Sequence, residues 1–178
     1  IVAISAIWLA LYNPTHGPIN QFLMSIGIDN PPQWLASSKW ALPAIMMMSV
    51  WGGLGYNIVI YLAGLKGIPK ELYEAADIDG VNSWHRLRHV TIPMLSPTIF
   101  FLLITGIISS FQVFGQINIM TQGGPATATT VIAYYIYLSG FRYYKMGYAA
   151  AMAWFLFIGI FIVTLIQWRG QKKWVNYV

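Results

Sequence analysis

The chain has 178 residues, of which 57% are hydrophobic and only 8% are charged, whereas a soluble domain has about 25% charged residues. A soluble fold of this size cannot bury so much apolar surface, so the composition predicts that lipid surrounds much of the chain. The absence of cysteine excludes disulfides, thiolate metal sites and cysteine nucleophiles. The net charge of +5 would suit nucleic acid, but the placement of the basic residues favours a membrane protein.

The apolar segments predict an all-α, polytopic transmembrane bundle. The chain begins inside an apolar run, residues 1–12, which is too short to span a bilayer and lacks the basic region of a signal peptide. We interpret this run as a partial span of a single transmembrane domain, 1–178, whose earlier spans precede Ile1. A run without charges over 40–65 predicts the first complete span, because about 20 apolar residues cross the hydrocarbon core.

The second half of the chain predicts two further complete spans. Residues 90–141 are uncharged, but a turn-rich stretch at 122–130 divides them, which places one span over 94–120. The uncharged remainder after Thr130 predicts a short helix at the membrane surface. The last span is predicted over 146–168.

Basic residues are distributed unequally among the segments that flank these spans. Those in the loop 66–92 and after the last span are Lys66, Lys70, Arg86, Arg88, Arg169, Lys172 and Lys173. The other two segments contain only Lys39, Arg142 and Lys145. Because basic residues are enriched on the cytoplasmic side, the loop 66–92 and the C-terminal end are predicted to be cytoplasmic.

The loop 66–92 predicts a first short helix. Its acidic residues are Glu71, Glu74, Asp77 and Asp79, four of the five in the chain. Pro69 suits the first turn of a helix, and the positive end of the helix dipole stabilises the acids that follow. An apolar stripe at helical spacing comprises Leu72, Tyr73, Ala75 and Ala76. Gly80 can take the left-handed conformation that ends a helix.

A second short helix is predicted after Gly80, with Ser83 as its cap and with Pro93 at the start of the next span. Composition alone favours a solvated loop on the lipid head groups. The spacing adds information, because Glu74-Ala75-Ala76 is followed by three residues, Gly80, nine residues and Val90-Thr91-Ile92-Pro93. This string resembles the cytoplasmic signature of the permease subunits of binding-protein-dependent ABC importers. That signature reads Glu-Ala-Ala, three residues, Gly, nine residues, Ile, one residue, Leu-Pro, so Val90 and Ile92 are conservative departures.

The resemblance extends along essentially the whole chain, which corresponds to about the C-terminal three-fifths of a six-span family member. Further segments resemble the carbohydrate-uptake branch, with maltose-type and glycerol-phosphate-type permeases: Gly64–Tyr73, Phe111–Phe114 and Gly123–Pro125. The resemblance implies import of a sugar or related polyhydroxylated solute, driven by ATP hydrolysis in a separate subunit. The chain itself would be neither an enzyme nor a cofactor protein.

The resemblance also implies partners and roles. The partners are a dimer of ATP-binding subunits, a second homologous permease, an extracytoplasmic solute-binding protein and the lipid bilayer of a bacterial or archaeal cytoplasmic membrane, with no nucleic acid. The implied ATPase-coupling residues are Glu74, Ala75, Ala76, Gly80 and Pro93. Glu74 would pair with a basic residue of the ATPase, Ala75 and Ala76 would pack into its groove, and Gly80 would form the bend.

Other patterns weigh against other functions. No phosphate-binding Gly-x-x-x-x-Gly-Lys-Ser/Thr loop occurs, and the glycine cluster at 52–55 favours close helix packing. His16, His85 and His89 form no metal set, and no catalytic constellation stands out. The spans contain no Asp, Glu, Lys or Arg, which counts against an ion-coupled secondary transporter, the main alternative. A structural membrane protein is the third class.

The polar residues within the predicted spans are neutral and have two interpretations. Gln112 and Gln116 share a helix face with Ser109, and each side chain could bond a neighbouring helix or line a wet path. The resemblance to maltose-type permeases places the solute path at Gly53, Tyr56, Gly106, Ser110, Val113 and Gly115. The predicted path therefore comprises Gly53, Tyr56, Ser110, Gln112 and Gln116.

Overall fold

The computed structural model describes residues 1–172, 174 and 175, and all regular elements in these residues are helical. The predicted all-α class is thus confirmed. The helices are α1 (Val2–Leu11), α2 (Pro18–Ser25), α3 (Ala41–Lys66), α4 (Lys70–Ile78), α5 (Ser83–Arg86), α6 (Ile92–Phe111), α7 (Gly115–Met120), α8 (Ile132–Tyr137) and α9 (Met146–Gln171). A 3-10 turn covers Trp34–Ala36, and π turns cover Leu87–Thr91 and Leu138–Arg142. Lys173, one of the predicted cytoplasmic basic residues, lies outside the described residues.

Within the described part of the chain, three helices are long and apolar enough to cross a membrane: Ala41–Lys66, Ser83–Phe111 and Met146–Gln171. The 26 residues of α3 rise about 39 Å, which exceeds a hydrocarbon core of about 30 Å. Large apolar side chains on these helices, including Trp51, Phe155 and Ile166, are more than half exposed. Such surfaces require lipid or further protein around them.

One continuous helix runs from α5 through the π turn into α6. The π turn is marked by the amide of Ile92, which donates to the carbonyl of Leu87 five residues earlier. Its cause is Pro93, since proline lacks an amide hydrogen and its ring crowds the carbonyl four residues before it. Pro97 lies inside α6, and the Ser96 hydroxyl donates to the Pro93 carbonyl at 2.6 Å, which compensates for the missing amide of Pro97.

The predicted helix over 94–120 is interrupted in the structure. Helix α6 ends at Phe111, and α7 begins at Gly115 after Phe114, whose φ of −133° is not helical. The prediction relied on the absence of charge, which does not change at the break, although polar residues become frequent there: Ser109, Ser110, Gln112 and Gln116. Val113 and Phe114 have modest helix propensity, but the sequence contains no proline there to announce the interruption.

The chain packs as two compact units. The first unit comprises residues 1–53 and 111–157, and the second comprises 54–110 and the described residues from 158 onward. The core of the first unit contains Tyr12, Trp34, Ala44, Ile45, Met48, Ile117, Met120 and Tyr134. The Tyr12 hydroxyl donates to the Ala44 carbonyl at 2.8 Å, which ties the end of α1 to α3.

A buried amide organises the segment 13–40 within the first unit, which we call the Asn20 segment. Asn20 is 1% exposed, and its Nδ2 donates to the carbonyls of Pro14 at 3.0 Å and Pro32 at 3.1 Å. Its Oδ1 accepts from Trp34 Nε1 at 2.6 Å. One side chain therefore holds three separate stretches of this segment together.

In the second unit, close helix packing occurs at Gly64. A Cβ atom there would lie 2.6 Å from Thr98 Oγ1 and 2.9 Å from Leu95 Cδ2, so α3 and α6 approach each other at this glycine. In the glycine cluster at 52–55, a Cβ on Gly52 would lie 4.0 Å from Ile4 Cδ1, whereas a Cβ on Gly55 would meet nothing within 4 Å.

Candidate functional site

The first candidate site is the coupling segment, residues 66–93, and its first helix ends as the sequence predicts. Gly80 has a φ of +66°, and its amide donates to the Asp77 carbonyl. The amide of Val81 donates to the Ala76 carbonyl five residues earlier. This pair of bonds is the Schellman motif, which satisfies free carbonyls at a helix end and requires a residue with positive φ.

The helix starts differ from the predictions by one residue each. Pro69 occupies the N-cap position, and α4 begins at Lys70. Asn82, and not Ser83, caps α5, because its Oδ1 accepts from the His85 amide at 2.8 Å. Both Asn and Ser are favourable caps, so the two neighbouring candidates could not be separated from the sequence.

Helix α4 has an outer face and an inner face, and the inner face contains Tyr73, Ala76 and Asp77. The outer face comprises Glu71, Glu74, Ala75 and Ile78, which are spaced as neighbours on one side of a helix and are all exposed. Ile78 is 86% exposed, and Trp84 of α5 is 68% exposed. Neither residue is among the predicted coupling residues, although Ile78 lies one turn after Glu74. Ala76 is 6% exposed, so only Ala75 of the alanine pair is presented on the surface.

Side chains of the inner face bind the two short helices together. Arg86 Nη1 donates to Asp77 Oδ1 at 2.7 Å, and the Tyr73 hydroxyl lies 3.3 Å from Thr91 Oγ1. The described residues offer no ionic partner to Glu74, the carboxylate at the centre of the outer face. The outer face thus combines an unpaired carboxylate with exposed apolar side chains, an arrangement suited to protein binding.

The second candidate site is a cleft of about 230 Å³ in the first unit. Its lining comprises Ile1, Ile4, Met48, Ser49, Gly52, Gly53 and Gln116. Two predicted path residues, Gly53 and Gln116, therefore meet there. The amide of Gln116 makes no hydrogen bond with a described residue and can bind a ligand or water. Ser49 was missed, although it lies one helical turn before Gly53; its hydroxyl donates to the Ile45 carbonyl at 2.8 Å.

The cleft does not include the other predicted path residues. Tyr56 and Ser110 belong to the second unit and are exposed, and Gln112 lies in the interruption between α6 and α7. The Ser110 hydroxyl donates to the Ile107 carbonyl at 2.7 Å, so the bond is within its own helix and leaves the oxygen able to accept. Pro93, which was predicted as a coupling residue and not as a path residue, lies at the second position of α6.

The histidines do not form a metal centre in the described part of the chain. His85 and His89 stack with their ring centroids 4.1 Å apart. The described residues contain no group of three or more His, Cys, Asp or Glu side chains able to hold a metal ion.

The fold and the coupling segment define a multi-pass α-helical membrane protein with an exposed pair of short helices between two of its long apolar helices. The chain belongs to the family described as "Binding-protein-dependent transport system inner membrane component", which matches residues 1–173. The resemblance drawn from the sequence is therefore confirmed.

Three curated relatives are similar along nearly the whole chain. "Probable ABC transporter permease protein YesP" of Bacillus subtilis (strain 168) is 37% identical, with coverage of 99% of this chain and 57% of the relative. The lactose transport system permease protein LacF of Rhizobium radiobacter is 37% identical, with coverage of 97% of this chain and 59% of the relative. The sn-glycerol-3-phosphate transport system permease protein UgpA of Agrobacterium fabrum is 36% identical, with coverage of 96% of this chain and 58% of the relative. The chain thus spans less than two thirds of these relatives.

A solved structure has the same fold. It is a bacterial ABC transporter involved in the import of the acidic polysaccharide alginate, and the match has a TM-score of 0.86 and 26% identity. The match covers 98% of this chain and 61% of the solved chain.

Proposed function

We propose that this chain is the larger part of a permease subunit of an ABC importer in a bacterial or archaeal cytoplasmic membrane. The subunit moves a sugar or related polyhydroxylated solute into the cell, and ATP hydrolysis in a separate dimer of ATP-binding subunits drives it. A second homologous permease completes the pathway, and an extracytoplasmic solute-binding protein delivers the solute. A related alginate transporter was solved with a periplasmic protein bound to an alginate pentasaccharide.

The observation that carries this proposal is the continuous helix from Ser83 to Phe111. It joins the coupling segment to a membrane span without an intervening flexible loop. A partner that binds the outer face of α4 and Trp84 can therefore tilt α6 as a rigid body. Glu74 provides the charge for this contact, while Ala75 and Ile78 provide apolar surface.

The solute class follows from the charges near the cleft. Ser49 and Gln116 offer neutral hydrogen-bonding groups, and the cleft lining contains no ionisable side chain. The similarity to relatives named for lactose and for glycerol phosphate is nearly equal, so similarity does not select the solute. Neutral polar groups suit the hydroxyls of an uncharged sugar.

The alternative of an ion-coupled secondary transporter lacks the groups that it needs. Such proteins bind protons or sodium through ionisable side chains at membrane depth, and positions 41–65 and 92–111 contain none. Solute uptake that persists in the presence of an uncoupler, while ATP is maintained, separates the two classes in favour of the importer.

The coupling role is tested by Glu74→Lys in the full-length permease, reconstituted with its partners. The substitution replaces the outer-face carboxylate by a cation, so the contact with the ATP-binding subunit becomes repulsive. We expect solute-stimulated ATP hydrolysis to fall by roughly tenfold or more, which corresponds to about 1.4 kcal/mol. Membrane insertion should be normal, because Glu74 is exposed.

The matched control is Asp79→Lys. Asp79 is also exposed and follows the last residue of α4, where a cation is compatible with the helix dipole. This variant has the same change in net charge and should retain stimulated hydrolysis. Full stimulated activity of the Glu74→Lys protein would refute the proposed coupling role.

A further inference from the structure

A single arginine side chain crosses the turn between the two short helices of the coupling segment. Arg86, the last residue of α5, donates to Asp77 Oδ1 of α4 at 2.7 Å. Its guanidinium carbon also lies 6.0 Å from the centroid of the Tyr73 ring, within the range of a cation–π contact. Asp77 and Tyr73 are one helical turn apart, so Arg86 contacts α4 at two successive points.

Tyr73 makes a second contact between α4 and the chain that follows the turn. Its hydroxyl lies 3.3 Å from Thr91 Oγ1, at the last residue of the π turn that leads directly into α6. Helix α4 is therefore linked to α5 through Arg86 and to the beginning of the span α6 through Thr91.

The glycine of the turn has open space on its Cβ side. Nothing lies within 4 Å of the position that a Cβ of Gly80 would occupy. The side chains of Arg86 and Asp77 are 35% and 63% exposed, and ion pairs in contact with solvent contribute little to folding. Their position across the turn lets them control the angle between the helices, although they contribute little to the free energy of folding.

We infer that Tyr73, Asp77 and Arg86 form a brace that fixes the angle between α4 and the helix leading into α6. A displacement of α4 then moves the span, and is not absorbed by rotation at Gly80. This inference rests on the proposed function, because the displacement comes from the ATP-binding subunit. The three side chains act as positioning residues and do not contact the solute.

The test is a charge exchange across the brace in the full-length permease, reconstituted with its partner subunits and binding protein. Asp77→Arg and Arg86→Asp each place like charges together and open the brace. We expect each single variant to lose roughly fivefold or more of its solute-stimulated ATP hydrolysis. The double variant restores the ion pair with its charges exchanged, and its stimulated hydrolysis should return to within about twofold of the parent protein.

Two results would overturn the brace. A double variant as defective as the single ones would mean that Asp77 or Arg86 acts through a contact with the partner. An equal loss in Arg88→Ala, which removes a neighbouring cation that has no ion pair in the described structure, would mean that charge alone matters.

A distance measurement tests the brace without relying on transport. Spin labels at the exposed positions 71 and 89 report the separation of α4 from the π turn. The distance distribution should broaden in Arg86→Ala and remain narrow in Arg88→Ala, and a distribution unchanged by Arg86→Ala would refute the brace. The proposed function fails separately, if Glu74→Lys retains full stimulated hydrolysis.

Discussion

The coupling segment and the Asn20 segment both connect helices, but they are held together in opposite ways. In the Asn20 segment a buried amide makes three hydrogen bonds, and Trp34 is 8% exposed. In the coupling segment the most prominent apolar side chains, Ile78 and Trp84, face outward, and its ion pair is open to solvent. The first segment is stabilised internally, whereas the second leaves its surface available.

This difference separates two kinds of constraint. A buried polar network supports folding, so damage to it should lower stability. An exposed helix pair with a defined angle supports transmission of movement, so damage to it should leave stability nearly unchanged and impair coupling. Substitutions in the Asn20 segment should therefore lower stability, whereas substitutions in the coupling segment should impair coupling and leave stability nearly unchanged.

The largest effect on stability is expected from Asn20→Leu. The substitution leaves the Pro14 and Pro32 carbonyls and the Trp34 Nε1–H without their partner. Each buried group left unpaired costs about 1–3 kcal/mol, so three such groups would cost about 3–9 kcal/mol. The lower end of this range is expected, because Pro14 is exposed and Pro32 is half-buried, which lets water reach their carbonyls. Thermal unfolding of the purified transporter, followed by fluorescence, should show a clearly lowered midpoint.

The neighbouring Gln21→Leu provides the control for this prediction. Gln21 is exposed, and its side chain makes one long hydrogen bond of 3.4 Å to the His16 carbonyl. Its replacement should leave the midpoint within experimental error. Equal midpoints for the two variants would show that the Asn20 network does not stabilise the protein.

A smaller cost with a different consequence is expected from Gly80→Val. The φ of +66° at Gly80 disfavours a β-branched residue by about 1–2 kcal/mol. The strain is local, so the midpoint should change little, while solute-stimulated ATP hydrolysis should fall severalfold. Gly80→Asn should retain coupling, because asparagine tolerates the left-handed conformation. Equal coupling in the Val and Asn variants would contradict a role for this backbone conformation.

The same two segments show which features of the structure could be predicted from the sequence alone. Glu74, Ala75, Ala76, Gly80 and Pro93 were predicted as coupling residues because their spacing along the chain resembles the cytoplasmic signature of ABC importer permeases, and their coupling role stays a prediction. The Asn20 network was not predicted, since its members at 14, 20, 32 and 34 follow no helical or strand period. Their proximity depends on the path of an irregular segment, which only the structure provides.

For the solute path, part of the geometry could be predicted from the sequence and part could not. Helical spacing placed Gln112 and Gln116 on one face, but this argument assumed a continuous helix, and the interruption after Phe111 invalidates it. Gly53 and Gln116 do meet at the cleft, and Ser49 could have been recognised one turn before Gly53. Long apolar helices were predictable because charge and length define them, whereas the polar residues around the break were interpreted as the lining of a path and not as the end of a helix.

The smallest effect is expected at the cap of α5, where Asn82→Ala should act locally. Its side chain accepts a hydrogen bond from the His85 amide at 2.8 Å, and loss of a helix cap costs about 0.5–2 kcal/mol. Because α5 has four residues and is exposed, this cost should appear as faster hydrogen exchange at the His85 amide and not as a lower unfolding midpoint. Ser83→Ala is the matched control, since the Ser83 hydroxyl makes no capping bond and its loss should leave exchange unchanged. Faster exchange in Ser83→Ala, with no change in Asn82→Ala, would assign the cap to Ser83.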